Sequence, residues 1–227
     1  MDSFTQFDGN LLIGIQDALN ADWLTPVMKV ITLFGEYGIF WICCCLAMLL
    51  FRRTRRLGII CSLALLFTFL VCNAGLKLLV GRTRPWVIFE EVARLLADPG
   101  DASFPSGHSA NAMGPAWAMF LATMPGRIRR EDGKVTGKTY GTVQCLGWKG
   151  DGVSPELMHR LSIAAVALAC LIGLSRLYLG MHFPSDVVCG LLIGMIVAAI
   201  VYKVILRVEE KRGLIGGLSA KEPDATI

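Results

Sequence analysis

Three short clusters in this chain hold the residue types that phosphate chemistry uses. The stretch Ser175–Asp186, SRLYLGMHFPSD, sets Arg176, His182 and Asp186 between two apolar runs. The stretch Phe104-Pro105-Ser106-Gly107-His108 opens another apolar run, and Lys77 and Arg84 stand at the end of a third. Ionisable groups at the depth or edge of a membrane are costly, so they mark candidate sites by default. Lys77, Arg84 and Arg176 are cations able to neutralise several phosphate oxygens, the arginines through planar paired donors. Helix starts at Pro105-Ser106 and Pro184 would add free backbone N–H groups and a positive dipole end. Ser106 and Gly107 would let a hydroxyl and bare backbone come close. His108 and His182 divide the remaining labour, one attacking phosphorus and the other protonating the departing oxygen. Asp186 could hold a ring N–H of its histidine and so fix the tautomer.

Each residue also has a plainer reading. A lysine or arginine at the end of a span usually snorkels to the interface. A lone histidine is more often structural, and His159 takes that reading. The three clusters differ because they fall together on the face where basic residues are not needed for topology.

The elements that must position them are transmembrane helices. Of 227 residues, 54% are hydrophobic and 18% charged, and mean hydropathy is +0.57. A soluble domain carries about a quarter charged residues. The apolar residues come in long runs, which predicts an integral membrane protein of the all-α class, a polytopic bundle of five to six transmembrane helices. A net charge of +4 is too small to suggest a nucleic-acid partner. Seven of the eight cysteines lie in apolar runs, only Cys145 lies in a polar loop, and no CxxC pair occurs, so thiols packed as small apolar groups are expected. The first lysine is Lys29 and the opening residues are acidic, so no secretory leader is expected.

Residues 1–35 mix aspartates with short apolar clusters and predict an interfacial amphipathic region. The transmembrane domain is expected over 36–206, with spans near 37–51, 57–80, 105–124, 156–174 and 187–206, and Glu36 placed at an interface. Within 81–104, Ile88, Val92, Leu95 and Leu96 recur at helical spacing opposite Glu90, Glu91 and Arg94, predicting a short surface helix. Residues 125–155 read as a long, solvated cytoplasmic loop and 207–227 as a disordered cytoplasmic tail. The basic loops, Arg52–Arg56, Arg127–Lys149 and the tail, then share the cytoplasmic face. The three polar clusters share the other.

Lys77-x6-Arg84-Pro85, Pro105-Ser106-Gly107-His108 and Ser175-Arg176-x5-His182-x3-Asp186 together resemble the three-part signature of the type 2 phosphatidic acid phosphatase superfamily, over residues 57–201. The resemblance implies a helical core like that of the phosphatidic acid phosphatases and haloperoxidases. It implies that His182 is the nucleophile forming a phosphohistidine, that Asp186 orients it and that His108 is the leaving-group acid. Lys77, Arg84, Ser106, Gly107 and Arg176 would bind the phosphate. No metal or cofactor is implied; two histidines and an aspartate could in principle ligate zinc, but the cations around them would repel it. The stretch 125–155 is longer than the tight turn of small bacterial members. The expected activity is a membrane lipid phosphatase at the outer face, with the bilayer and a polyprenyl diphosphate or phospholipid phosphate as partners. The compact form resembles bacterial undecaprenyl-diphosphate phosphatases; phosphatidylglycerophosphate or phosphatidic acid are alternative substrates. A lipid phosphotransferase and a non-catalytic phosphate or lipid transporter are the rival activities.

Overall fold

In the computed structural model, which describes residues 2–19, 21–129, 135–140 and 154–211, the apolar runs are helices. They are α1 (Ser3–Leu19), α2 (Leu24–Leu33), α3 (Ile39–Leu50), α4 (Arg55–Phe69), α5 (Lys77–Val80), α6 (Pro85–Ile88), α7 (Gly107–Thr123), α8 (Pro155–Tyr178) and α9 (Pro184–Lys211). A π-helical stretch, Leu70–Leu76, joins α4 to α5. Among the described residues, four stretches are long and apolar enough to cross a membrane: Leu24–Leu50, Arg55–Ile88, Glu156–Tyr178 and Pro184–Glu209. Their outward side chains, such as Leu46, Leu66, Ile163, Leu192 and Ile200, are exposed. Such a surface suits lipid and would be an aggregation liability in water.

The shorter α7 is the hub, packed against α9, α8 and α4. Its buried face is built from small residues, including Ala110, Ala112, Ala116, Ala118 and Ala122. Helix association in a bilayer comes from close packing, because lipid tails are as apolar as leucine, and small residues permit it. On α9, Gly190 and Gly194 complete the contact. A Cβ on Gly190 would stand 2.7 Å from the Ser106 carbonyl oxygen, and one on Gly194 would stand 2.8 Å from that of Ala110. The start of α9 is thereby pressed against the start of α7. At the opposite end of the bundle, Arg56 Nε donates to Glu209 Oε1 at 2.6 Å, tying the arginine-rich loop to the end of α9.

Three features differ from what the sequence predicts. The apolar stretch that holds the expected first span begins at Leu24 rather than near Tyr37, because the chain turns at Glu36–Gly38 without stopping. Tyr37 and Gly38 take left-handed φ values of 48° and 68°, and α3 resumes at Ile39. Second, the surface helix within 81–104 does not form beyond the four residues of α6. Its apolar residues point inward instead: Val92 is buried with Leu12, Phe89 and Phe183. The backbone there is satisfied from elsewhere, since Gln16 Nε2 donates to Ala93 O at 2.9 Å, Ala93 N donates to Gln16 Oε1 at 3.1 Å and Leu95 N donates to Leu179 O at 3.2 Å. Third, residues 125–155 contain an antiparallel hairpin of β1 (Pro125–Arg129) and β2 (Val135–Tyr140). Cys145 and the tail from 212 lie outside the described residues; the seven described cysteines are free.

Candidate active site

The site forms where four elements end together. Ser106 caps α7, its Oγ accepting from Ser109 Oγ at 2.9 Å, and its own N–H donates to the Asp186 carbonyl oxygen at 3.1 Å. This bond locks the starts of α7 and α9 side by side and presents Gly107 and His108 in the first turn of α7. The π-helical stretch changes the helical register there and presents Asn73, a recurrent use of such bulges. A Cβ on Gly107 would stand 2.8 Å from Asn73 Nδ2, so glycine leaves the room that the Asn73 side chain occupies. Asn111 Nδ2 donates to Asn73 Oδ1 at 3.2 Å.

Lys77, Arg84, Gly107, His108, Arg176 and His182 line one cavity of about 260 Å³. That is room for a phosphate or diphosphate group. Of the residues singled out from the sequence, six face it together. Ser106 and Asp186 stand behind it, Ser106 engaged as the helix cap and Asp186 fully buried against the start of α9.

Arg176 reaches in from the last turn of α8. Its Nη1 donates to Thr32 Oγ1 at 2.9 Å, and its buried Nε has no hydrogen-bond partner among the described residues. A buried guanidinium with an unused donor beside a cavity is suited to an anion. Arg84 is held by the carbonyl oxygens of Met181 at 2.6 Å and Asp101 at 3.0 Å, and its Nη1 lies 3.3 Å from His182 Nε2. Guanidinium has no acceptor, so that contact requires the imidazole lone pair on Nε2 and the ring proton on Nδ1. His182 is 1% exposed. Its burial, with the guanidiniums of Arg84 and Arg176 nearby, lowers its pKa to about 3 against the opposing pull of Asp186. The ring is thus neutral at pH 7, with its free nitrogen toward the cations.

Asp186 does not hydrogen-bond the ring: its Oδ2 lies 3.6 Å from His182 Nδ1, an ion-pair distance. The carboxylate is held by other groups. Oδ2 accepts from Ser103 Oγ at 2.5 Å and from Phe183 N at 3.0 Å, and Oδ1 accepts from Arg82 Nη1 at 2.6 Å. Arg82 also donates to Asp8 Oδ2 at 2.8 Å and to Ser185 Oγ at 2.7 Å, and it lies 4.0 Å over the Phe183 ring.

Several residues at the site are not among those that the sequence singles out. Asp101 pairs with both Lys77 and Arg84. Burial favours its neutral form, but the two cations outweigh that and hold its carboxyl below the usual range. Glu36 contacts His108, Oε2 to Nε2, at 3.2 Å. Arg82 and Asp8 support Asp186. Glu36 did carry a signal, being a lone carboxylate between long apolar runs; Asp101 had none beyond its loop. Among the described residues no three His, Cys, Asp or Glu side chains gather as a metal-binding group.

A helical bundle whose span ends enclose a cationic pocket with two histidines suits a membrane phosphatase. The family model described as the PAP2 superfamily matches residues 57–210, and the chain belongs to that superfamily. It is a multi-pass membrane lipid phosphatase. An undecaprenyl-diphosphatase from Sulfolobus acidocaldarius is 26% identical over 178 residues, covering 78% of this chain and 69% of that protein. A lipid A 4'-phosphatase from Bacteroides thetaiotaomicron is 33% identical over 140 residues, covering 59% of this chain and 48% of that protein. Among solved structures, a transmembrane PAP2-type phosphatidylglycerolphosphate phosphatase from Bacillus subtilis superposes with a TM-score of 0.66 at 25% identity, covering 91% of this chain and 89% of that one. Aquifex aeolicus LpxE, at 24% identity, TM-score 0.58 and 86% and 93% coverage, shares the fold.

Proposed function

We propose that this protein removes the terminal phosphate of undecaprenyl diphosphate at the extracytoplasmic face of the cell membrane, through a phosphohistidine on His182. The observation that carries the lipid reading is the continuity of two cavities. The cationic pocket shares Tyr37, Gly38, Phe69 and Asn111 with an apolar groove between α3 and α4 that is also lined by Ile42, Leu46, Leu65 and Leu66. A phosphorylated headgroup in the first places its hydrocarbon chain in the second.

In this reading Lys77, Arg84 and Arg176 and the α7 start at Gly107 hold the phosphate oxygens, and Ser106 keeps that helix start in place. Neutral His182 Nε2 attacks the terminal phosphorus. The bond from phosphorus to the bridging oxygen breaks, and His108 gives its proton to that oxygen as the lipid monophosphate leaves. Water then attacks the phosphohistidine, His108 takes back a proton, and the P–N bond breaks to release inorganic phosphate and free His182. Asp186 is the fixed negative charge beside Nδ1 when the ring becomes cationic.

The resemblance to the Sulfolobus undecaprenyl-diphosphatase, across two thirds of that protein, favours a polyprenyl diphosphate. The superposition on the Bacillus enzyme favours phosphatidylglycerophosphate as the second reading. The extracytoplasmic face is favoured by the basic loop Arg52–Arg56 and the end of α9 lying at the opposite end of the bundle from the site. Phosphate release by the purified protein, compared across undecaprenyl diphosphate, phosphatidylglycerophosphate and phosphatidic acid, tests the substrate. Highest kcat/KM on undecaprenyl diphosphate supports the proposal, and a preference for phosphatidylglycerophosphate overturns it.

A further inference from the structure

A general acid inside a pocket built to hold anions faces an electrostatic problem. The groups lining the cavity around His108 are Lys77 from α5, Arg84 from the 81–84 connection, Arg176 from α8 and His182 from the α8–α9 connection, with Asp101 and Glu36 as the acidic members. Asp101 is engaged by Lys77 and Arg84. A protonated imidazole in this company needs a negative charge of its own, and Glu36 is the one left.

We propose that Glu36 is a positioning residue for His108: its carboxylate orients the ring and supplies the counter-charge that keeps a transferable proton there. This rests on the reading of His108 as the leaving-group acid. Glu36 Oε2 lies 3.2 Å from His108 Nε2. An ionised carboxylate only accepts, so the contact assigns a proton to Nε2. No other described side chain pairs with this histidine in an ion pair.

The backbone is shaped to make that contact. The course from Leu24 to Leu50 is one apolar span interrupted at Glu36–Gly38, with Tyr37 held at a left-handed φ of 48°. A non-glycine residue there is strained, and strain of this kind persists where surrounding structure requires it. Gly35 allows the turn to lie against the imidazole: a Cβ there would stand 2.8 Å from His108 Cδ2 and 2.9 Å from Ile172 Cγ2. Glu36 reaches His108 because the helix breaks at this point.

The test is the pH dependence of kcat/KM on undecaprenyl diphosphate for the native protein, Glu36→Gln, Glu36→Asp and His108→Ala. The position of a pH limb does not depend on how much of a variant folds. Glu36→Gln should move the basic limb to lower pH by about one unit, with roughly tenfold less activity on the alkaline side. Glu36→Asp, which keeps the charge, should leave the limb close to native. The residual rate of His108→Ala should lack this limb. If His108→Ala loses the limb while Glu36→Gln keeps it in its native place, Glu36 does not act through His108 and the inference is overturned. If His108→Ala retains the native limb, the role of His108 as the acid fails, and this inference with it.

Discussion

Arg82 Nη1 donates to Asp186 Oδ1 at 2.6 Å, so the carboxylate beside the proposed nucleophile is anchored by a guanidinium and not by the imidazole it serves. The same guanidinium reaches Asp8 on α1 at 2.8 Å, which ties the N-terminal helix to the start of α9. Asp8 and Asp186 are 3% and 0% exposed, so removing the cation between them leaves two buried carboxylates facing each other. Breaking a buried pair by deleting one partner costs about 3–5 kcal/mol. Arg82→Met should therefore lower the melting temperature in detergent by several degrees and reduce turnover, while Asp8→Asn should have a smaller effect. An unchanged melting temperature in Arg82→Met would show that the network does not support the fold.

Asp101 occupies the two cations that a substrate phosphate must use. It is paired with Lys77 and Arg84, and the pairing keeps its carboxyl ionised. Its side chain is 43% exposed, so the pair is partly screened and worth roughly 1 kcal/mol at most. Asp101→Asn should free the cations and strengthen inhibition by vanadate or inorganic phosphate, about fivefold on the same scale. Weaker inhibition would mean that Asp101 positions the cations and does not compete for them.

How much of this was legible in the sequence depends on chain distance. Lys77, Arg84, His108, Arg176 and His182 could be gathered because each marks the end of a span, and the charge bias puts those ends on one face. Asp101 and Asp8 could not be gathered: their partners are 17 to 177 residues away, and nothing in a polar stretch says which carboxylate folds back. A glutamate at mid-bilayer is expensive, so hydropathy makes Glu36 the boundary of a span. In the structure Glu36 pairs with His108 at a break inside the apolar stretch Leu24–Leu50, and hydropathy cannot register a break. The spacing of Val92, Leu95 and Leu96 predicts a surface helix. It fails because Gln16 and the end of α8 supply the backbone partners that a helix would have provided.

His182, the proposed nucleophile, should not titrate in the physiological range. Burial and two guanidiniums lower the His182 pKa to about 3, whereas an unfolded histidine titrates near about 6.5. The unfolded chain therefore binds the proton first on acidification, so this residue's contribution to stability is full above about pH 6.5 and declines toward pH 3. Nitrogen NMR of labelled histidine in the free protein should show His182 neutral from pH 7 to pH 5. A midpoint near its ordinary value would contradict the cation-flanked, buried environment.

Orientation can be read by chemical labelling. Thr83 is exposed beside the pocket. A cysteine in place of Thr83 should react with a membrane-impermeant maleimide added to intact cells, against a background lacking the native cysteines. Reaction only after lysis would place the site on the cytoplasmic side and remove the extracytoplasmic reading.

In the proposed reaction His182 carries the phosphoryl group. Purified protein incubated with undecaprenyl diphosphate labelled in its terminal phosphate, quenched in alkali and mapped by mass spectrometry, tests it most directly. The label is expected on His182 and should disappear, with turnover, in His182→Ala. Label trapped on another residue, or turnover retained in His182→Ala, would contradict it.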